Sequence, residues 1–431
     1  MMIVEMAGEL FMEAVNFATQ IDFSESKTDD TVSVFETTIR YLGGLLSAYE
    51  LSDQKYPALL QKAKEVADKM SHAWIGSNIA EAGTLILEWS TLSKYTKNDT
   101  YRQLAEGSLR QIASLPSPFP GMAVQGINPV GGQGVGGYVS WGGGSDSYFE
   151  YLLKYPRLTN TDDPVFVDTW KTAIDSSIRH LLRKSTVGDH LYTCTYDAAI
   201  DKFRHISSHL ACFHGGNWLY GGKLLNNQTI MDHALGLIDG CWNTYESTET
   251  GIGPEGFAYV SSDGNYTGIN PPPTEADLQF YTQHGFYPYA RYYILRPEVL
   301  ESNFYAWRIT GNTKYLDRAA KAIESFQKYL PAAVGFAGIE DINDPASDKI
   351  DDMESFWFAE VLKYLYLTFD DPKHISIDEY IFNTEAHPFK APRGRAFYGS
   401  NATVPLRPFK VRPGPLPEVS SNRFNPSSIP L

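Results

Sequence analysis

The sequence has little cysteine, no long apolar run and fewer basic than acidic residues. Among 431 residues there are 3 cysteines, and 36 Lys and Arg stand against 51 Asp and Glu, which gives a formal charge of −15. A membrane-spanning helix needs roughly 18 or more consecutive apolar residues, and no such run occurs. Nucleic acids and anionic membranes bind proteins with a surplus of basic residues. We therefore expect neither a membrane span in this chain nor a nucleic-acid partner.

The cysteines and the start of the chain leave the cellular compartment open. Cys194, Cys212 and Cys241 allow one disulfide and one free thiol. Residues 1–20 carry glutamates between apolar residues, which predicts an amphipathic helix rather than a secretory leader with a basic start and an apolar run. Four N-x-S/T sequons, close to the number expected by chance, are candidate glycan acceptors. They begin at Asn98, Asn227, Asn265 and Asn401.

Helical periodicity dominates and recurs in pairs. Over residues 46–63, 92–105 and 305–319, an apolar helix end precedes a short polar turn and a tyrosine that opens a second amphipathic helix. Further helices are predicted near residues 163–182, 209–224, 230–244 and 354–366. Short turns make consecutive helices antiparallel, so the hairpins could stack as an open solenoid or close into a ring. Uneven spacing and long glycine-rich and aromatic insertions favour the ring, because solenoid repeats have a fixed length.

Composition changes only near the C-terminus. Residues 391–431 contain eight prolines, five arginines and one lysine against a single acid, Glu418. Proline fixes φ and removes a backbone donor, so this segment is predicted to be extended chain on the surface or a tail. We predict one helical domain over residues 1–390, followed by this segment.

Two familiar motifs occur without the context that they need. Gly132, Gly134 and Gly137 satisfy G-x-G-x-x-G, but the run leads into a Tyr-Val-Ser-Trp segment instead of the helix that a dinucleotide site requires. His205 and His209 have the spacing of a zinc-binding helix, but the glutamate of that motif is missing between them. We expect neither a dinucleotide site nor a zinc site here.

Several acidic residues stand in apolar or glycine-rich surroundings, although each has an ordinary explanation. Glu36 and Arg40 have the spacing of an ion pair on a helix surface. Asp146 follows a glycine run and would cap a helix, and Glu298 follows a proline, where an acid favours the helix dipole. From these segments alone the structural and the functional interpretations remain open.

Glu360 is harder to explain as a surface residue. It lies in a predicted helix among aromatic and aliphatic residues, and buried carboxylates are rare unless they are paired or bind a cation. A turn over residues 383–388 adds a hydroxyl and a further carboxylate. Carboxylates can act as acid and base on a glycosidic bond, aromatic rings stack on sugars, and clustered oxygens suit Ca²⁺. The pattern therefore predicts carbohydrate chemistry near a calcium ion.

Six segments together resemble class I α-1,2-mannosidases, glycoside hydrolase family 47, of the fungal type. In chain order they are FETTIRYLGGLLSAYE, GGGSDSYFEYLLK, SHLACFHGGN, LRPEVLES, ESFWFAEVLKYLYLTF and FNTEAHP. The resemblance implies an all-α fold, an (α/α)7 barrel of antiparallel helical hairpins with short β-hairpins at one end. It also implies a monomer in the secretory pathway, in the ER or Golgi lumen, or secreted. Its implied activity is the inverting, Ca²⁺-dependent removal of terminal α-1,2-linked mannose from high-mannose N-glycans.

The resemblance further assigns roles to individual residues. Glu36 matches the general acid, Glu298 the base that activates water, and Asp146 a third essential carboxylate. Thr384 matches the direct protein ligand of Ca²⁺. The acids that match holders of its bound waters are Glu81, Glu301, Glu360 and Glu385. Other matching pocket residues are Arg40, His209, Arg296 and Phe356, with Phe356 under the bound sugar. The family disulfide matches Cys212 and Cys241, which leaves Cys194 free.

Gly144 and the start of the chain bear on specificity and activity. Family members that remove one specific mannose carry arginine at the place of Gly144, so glycine predicts broader trimming. A leader or anchor and a first helical segment with a GWGA-type motif, usual in the family, have no counterpart here, and the loop over residues 71–76 is short. A barrel without one inner helix loses a wall of its pocket. The alternative function is therefore a weakly active or inactive mannose-binding, lectin-like protein in glycoprotein quality control.

Overall fold

The computed structural model describes residues 8–27, 29, 31–71 and 76–400, and helices supply most of its regular structure. Three consecutive segments, Val34–Thr37, the π-helical Thr38–Leu42 and Gly43–Leu51, form one helix, α2. Similarly, the π-helical Trp357–Val361 continues into Leu362–Phe369 as α14. The other helices are α1 Gly8–Gln20, α3 Pro57–Met70, α4 Ile79–Gly83, α5 Ile86–Thr96, α6 Thr100–Ala113, α7 Asp146–Thr159, α8 Val165–His180, α9 Phe213–Leu224, α10 Gln228–Glu246, α11 Glu275–His284, α12 Glu298–Thr310 and α13 Lys314–Tyr329.

Helices alternate between an inner and an outer layer of a barrel. The outer helix α13 buries Tyr315, Ala319, Ala322 and Phe326 along one face, the spacing of an amphipathic helix on a core. By contrast, the inner helix α9 is buried on almost all sides. Its Gly221 permits this close packing, because a Cβ atom there would lie 2.2 Å from the ring of a tryptophan on α8. The other inner helices are α2, α5, α7, α12 and α14.

Short turns join the inner helices α2, α5, α7, α9 and α12 to the outer helices that follow them, as the sequence predicts. In the three recurring segments, α2 leads into α3, α5 into α6 and α12 into α13, and the members of each pair pack together. Consecutive inner helices also pack against one another, in the order α2, α5, α7, α9, α12 and α14. The predicted helical barrel is confirmed, and so are the helices predicted near residues 163–182, 209–224, 230–244 and 354–366. The amphipathic start is helical from residue 8.

Short antiparallel strands lie in the insertions between helices and after the last helix. They pair as β1 with β2, β4 with β5, β11 with β12, β13 with β14, and in two three-stranded sheets ordered β3-β6-β7 and β10-β9-β8. The strands are β1 Gly126–Ile127, β2 Gly134–Val135, β3 Tyr138–Val139, β4 Leu182–Lys184, β5 Leu191–Thr193, β6 Thr195–Asp197, β7 Lys202–Arg204, β8 Ile206–Ser208, β9 Gly256–Ala258, β10 Tyr287–Ala290, β11 Gly338–Ile339, β12 Lys349–Ile350, β13 Tyr380–Phe382 and β14 Pro388–Lys390. The glycine-rich run thus leads into strand β3, not a helix.

The β13–β14 hairpin carries a turn that contributes residues to the candidate site. Strand β13 packs on α7 and strand β14 on α2. Its connecting turn, residues 383–387, is called the 383–387 turn below. The hairpin therefore places this turn between inner helices of the barrel.

Residues 391–400 follow the hairpin and lie against the barrel. Arg157 on α7 donates a hydrogen bond to the carbonyl oxygen of Pro392 at 2.8 Å, and the Tyr398 hydroxyl donates to Asn160 at 2.7 Å. The rest of the predicted extended segment, with the sequon at Asn401, lies outside the described residues. In the described part of the chain, no helix combines the length and apolar character needed to cross a bilayer.

One disulfide connects two neighbouring helices. It joins Cys212, in the 3-10 turn Leu210–Cys212 ahead of α9, to Cys241 on α10. Cys194 is a buried free thiol. The pairing implied by the family resemblance is therefore confirmed.

Candidate active site

A cavity of about 290 Å³ opens at one end of the barrel and contains an excess of acidic side chains. Among the described residues, two guanidinium groups line it, those of Arg40 and Arg296, against eight carboxyl groups. The carboxyl groups belong to Glu36, Glu81, Asp146, Glu150, Glu298, Glu301, Glu360 and Glu385. Gly144, Phe356 and Thr384 also line the cavity, so the structure brings together every proposed catalytic, substrate and metal residue except His209, which lies directly behind Glu298.

Glu36 and Arg40 stand at the rim, on helix α2. Arg40 Nε lies 2.7 Å from a carboxylate oxygen of Glu36, and its Nη1 lies 2.7 Å from Glu385. The side chain of Glu36 is 49% exposed, so the ordinary interpretation, a surface ion pair, describes the contact correctly. The same pair nevertheless faces the cavity. Because Arg40 lies in the π-helical segment, where one turn contains an extra residue, α2 has the local irregularity often found at functional sites.

Asp146 and Glu150 project from the first turns of helix α7. Gly144, just before the helix, has φ +84° and lies beside the Gln125 side chain, so any larger residue there would be strained and crowded. Burial, together with the charges of Glu150 and Glu298, raises the pKa of Asp146 to about 7 against the hydrogen bonds from Ser147. Asp146 therefore begins helix α7 and also lines the cavity.

Glu298 begins helix α12, and its carboxylate is hydrogen-bonded to a buried histidine. Nδ1 of His209 lies 2.7 Å from a carboxylate oxygen of Glu298, while Nε2 lies 2.7 Å from the Tyr245 hydroxyl. Burial by itself would raise the pKa of Glu298, but His209 and the charge of Arg296 outweigh it and lower this pKa below the ordinary value. The lowered pKa keeps Glu298 ionised, as a general base requires.

Arg296 and Phe356 form a polar and an aromatic wall of the cavity. Glu255 accepts two hydrogen bonds from Arg296, at 2.6 and 2.8 Å, which fix the guanidinium plane. The Phe356 ring lies below both guanidinium groups, 5.7 Å from Arg40 and 5.9 Å from Arg296. A flat ring beside fixed donors is a suitable surface for a sugar, which offers an apolar face and hydroxyl groups.

The deepest carboxyl groups crowd one another. Burial raises the pKa of Glu301 and of Glu360 well above the ordinary value, and neighbouring carboxylates raise both further. Burial also raises the pKa of Glu385 to about 7, although the charge of Arg40 opposes the shift. These raised pKa values mean that the described residues do not fully compensate the negative charge of the buried carboxylates. A bound divalent cation would compensate it.

Thr384 stands beside these acids on the 383–387 turn. The described residues contain no cluster of three or more His, Cys, Asp or Glu side chains placed to hold a metal ion directly. The available donors are instead oxygens, from a threonine at the tip of the turn and from carboxylates around it. Hard oxygen donors of this kind fit Ca²⁺, with water completing the ligand set.

Sequence reasoning overlooked Glu150, Glu255 and Tyr245, which line the cavity or form hydrogen bonds with residues of the proposed site. Glu150 could have been found, since it lies four residues after Asp146 on the same face of α7. It is buried and paired with buried Lys154. Glu255 and Tyr245 could not have been found, because their partners Arg296 and His209 are more than 35 residues away. His205 hydrogen-bonds with Asp263, whereas His209 hydrogen-bonds with Glu298.

A family model and known proteins are similar to this chain over most of its length. The model of glycosyl hydrolase family 47 matches residues 1–78 and 71–391. A mannosyl-oligosaccharide α-1,2-mannosidase 1B of Emericella nidulans is 39% identical over 85% of this chain and 78% of its own length. A probable enzyme of that name from Aspergillus clavatus is 38% identical over 88% of this chain and 81% of its own length.

Solved structures show the same fold. The α-1,2-mannosidase from Trichoderma reesei superposes with a TM-score of 0.86 at 33% identity, covering 91% of this chain and 88% of that one. A GH76 α-mannanase from Bacteroides thetaiotaomicron shares the fold alone, with a TM-score of 0.52 at 13% identity over 86% of this chain and 99% of that one.

Proposed function

The chain belongs to glycosyl hydrolase family 47, and we propose that it hydrolyses terminal α-1,2-linked mannose from high-mannose N-glycans. The observation that carries this proposal is the cavity that combines Glu36, Asp146 and Glu298 with the aromatic wall of Phe356. The names of the fungal relatives, mannosyl-oligosaccharide α-1,2-mannosidases, support the same substrate.

Glu36 and Glu298 share the acid and base work in this proposal. Glu36, at the open rim, protonates the glycosidic oxygen of the departing sugar. Glu298, kept ionised by His209, removes a proton from the attacking water. If water attacks the face opposite the leaving group, the anomeric configuration inverts, and acid and base must stand far enough apart to admit that water. Asp146 is the third essential carboxyl group of the proposed mechanism.

Sugar binding falls to the remaining cavity residues. Arg40 and Arg296 offer donors to sugar oxygens, and Phe356 supports the apolar face of the terminal mannose. Gly144 adds no side chain of its own to the cavity wall, so we expect several mannoses to be removed in succession. A product series that stops after one mannose would contradict this expectation.

Ca²⁺ is the proposed cofactor. Thr384 would bind it directly through its hydroxyl and carbonyl oxygens, and Glu81, Glu301, Glu360 and Glu385 would hold its bound waters. When bound, the ion would supply positive charge that orients the hydroxyl groups of the terminal sugar. The raised pKa values of Glu301 and Glu360 support the proposal, because burial and neighbouring carboxylates disfavour their negative charge and a bound cation would stabilise it.

We also propose that the protein acts as a monomer in the secretory pathway or outside the cell. The disulfide between Cys212 and Cys241 is typical of oxidising compartments. Asn98 and Asn265 are exposed sequons that a glycan could reach. Asn227 is partly buried, and its side chain accepts a hydrogen bond from Ile230 N as the cap of α10.

The decisive experiment is release of mannose from a high-mannose N-glycan by the full chain, with and without a Ca²⁺ chelator. Chelator-sensitive release, with the β-anomer as the first product in the NMR spectrum, is expected. Binding of the glycan without release would instead favour the lectin-like alternative. Retention of the α-anomer would contradict the roles of Glu36 and Glu298, and release that resists the chelator would contradict the Ca²⁺ proposal.

A further inference from the structure

Glu88 is a fully buried acid that does not line the cavity. It lies on the inner helix α5 with 0% of its surface exposed. One oxygen, Oε1, accepts hydrogen bonds from the Tyr151 hydroxyl at 2.6 Å and from Asn383 Nδ2 at 2.7 Å. The other oxygen, Oε2, has no hydrogen-bond partner among the described residues. A buried carboxyl that forms no ion pair in the described structure needs an explanation, since burying it costs free energy.

Both hydrogen-bond partners of Glu88 are connected to the 383–387 turn: Asn383 belongs to it, and Tyr151 contacts its backbone. Asn383 is itself fully buried, and its Nδ2 also donates to the Ile39 carbonyl on α2 at 3.0 Å. Its Oδ1 accepts hydrogen bonds from the backbone N–H groups of Glu385 and His387, at 3.0 and 2.8 Å. The amide of Asn383 therefore fixes the shape of the turn from within and ties it to two inner helices.

Tyr151 provides a second connection. Its hydroxyl donates to Glu88 and accepts a hydrogen bond from the backbone N–H of Thr384 at 3.3 Å. Gly43 on α2 makes room for the arrangement, because a Cβ atom there would lie 2.7 Å from Asn383 Nδ2. Glu88 is thus the acceptor that orients an amide and a hydroxyl, and both of these groups hold the backbone beside Thr384.

We propose that Glu88 is a positioning residue: as a hydrogen-bond acceptor beneath the 383–387 turn, it holds Thr384 and Glu385 in the orientation that the cavity needs. The expected effect of Glu88 on Ca²⁺ binding rests on the proposed Ca²⁺-dependent function. The hydrogen bonds by which Glu88 holds the turn do not depend on that function. Burial raises the pKa of Glu88 to about 8, against the hydrogen bonds from Tyr151 and Asn383. A neutral carboxyl group would serve as this acceptor without adding charge to an acidic site.

Hydrogen exchange of the 383–387 turn tests the geometry independently of activity. In Glu88→Ala the turn loses its acceptor, so backbone exchange in a peptide over residues 380–390 should accelerate about tenfold or more, relative to the full wild-type chain. Glu88→Gln keeps a carbonyl oxygen in place of Oε1 and should exchange like the wild type. Leu92→Ala, a buried substitution on the same helix, should lower the melting temperature without selective exchange in this turn.

Binding of Ca²⁺ by equilibrium dialysis tests the consequence. Residues that orient a metal ligand typically change affinity by about 10–100-fold when they are removed, so Glu88→Ala should weaken binding by that factor. Glu88→Gln and Leu92→Ala should bind as the wild type does. Unchanged exchange of the turn in Glu88→Ala, or equally fast exchange in Glu88→Gln, would overturn the positioning role. A wild type that binds no Ca²⁺ would overturn the cofactor proposal, while selective exchange would still establish the positioning role.

Discussion

The outer and inner helices of the barrel carry the same kind of ion pair with different consequences. On the outer helix α8, Arg179 Nε lies 2.7 Å from Asp175 four residues earlier, and both side chains are partly exposed. On the inner helix α7, Lys154 pairs with Glu150 at the same spacing, but both are almost completely buried. Water screens the two charges of the outer pair. In the inner pair, each charge is compensated by its partner instead of by water. Identical spacing in sequence therefore produces a surface contact in one layer and a structural part of the active site in the other.

The largest difference between the layers should appear in catalysis. Glu298→Gln removes the proposed base from inner helix α12, and we expect kcat for mannose release to fall by about 10²–10⁴-fold. Asp175→Asn removes a carboxylate of similar chemistry from outer helix α8 and should leave kcat unchanged. Steady-state kinetics on a high-mannose N-glycan measure both. A fall of less than tenfold for Glu298→Gln would remove the base from the proposed mechanism.

The next largest difference should appear in stability. Lys154→Met leaves Glu150 buried without its cation, and breaking a buried pair in this way typically costs about 3–5 kcal/mol of the free energy of unfolding. Arg179→Met breaks the corresponding exposed pair, which is worth about 0.2–1 kcal/mol. Denaturant unfolding of the two variants under the same conditions measures the contrast. Equal losses would mean that burial does not distinguish the two layers.

The smallest expected change is a shift of the pH profile. The pKa of Glu298 is lowered because His209 outweighs the effect of burial. In His209→Ala burial would dominate, so this pKa should rise. Because the base must be deprotonated, the acid limb of kcat/KM should then move to higher pH. His190→Ala, which alters a histidine that does not line the cavity, should leave the limb in place. If the acid limb of kcat/KM stays at the same pH in His209→Ala, the ionisation of Glu298 does not control that limb.

The regular parts of the fold were predictable from sequence because they depend on neighbours along the chain. The turn between α12 and α13 and the apolar stripe of α13 follow from local composition and a period of 3.6 residues. The same holds for Glu36 with Arg40, whose spacing brings them together on any helix. The π-helical segments were not predictable, because an extra residue in a turn leaves no clear pattern in the sequence.

Prediction of the site was less complete, and for a physical reason. The motifs pointed to Glu36, Asp146, Glu298 and Thr384 through their resemblance to a family, and the structure gathers these residues around one cavity. Glu88 was overlooked, because its sequence neighbours make it look like one position in an ordinary buried helix. Its role becomes visible only when Asn383, 295 residues away, is seen to donate to it.

The sequence by itself determined the helical hairpins, their antiparallel order and the identity of the acids, since each depends on residues close together in the chain. Tertiary structure decided which acids share a cavity and which charges face water. It also decided which pKa values rise and which fall. Those properties depend on burial and on distances between helices, and the barrel sets both when it brings distant segments together.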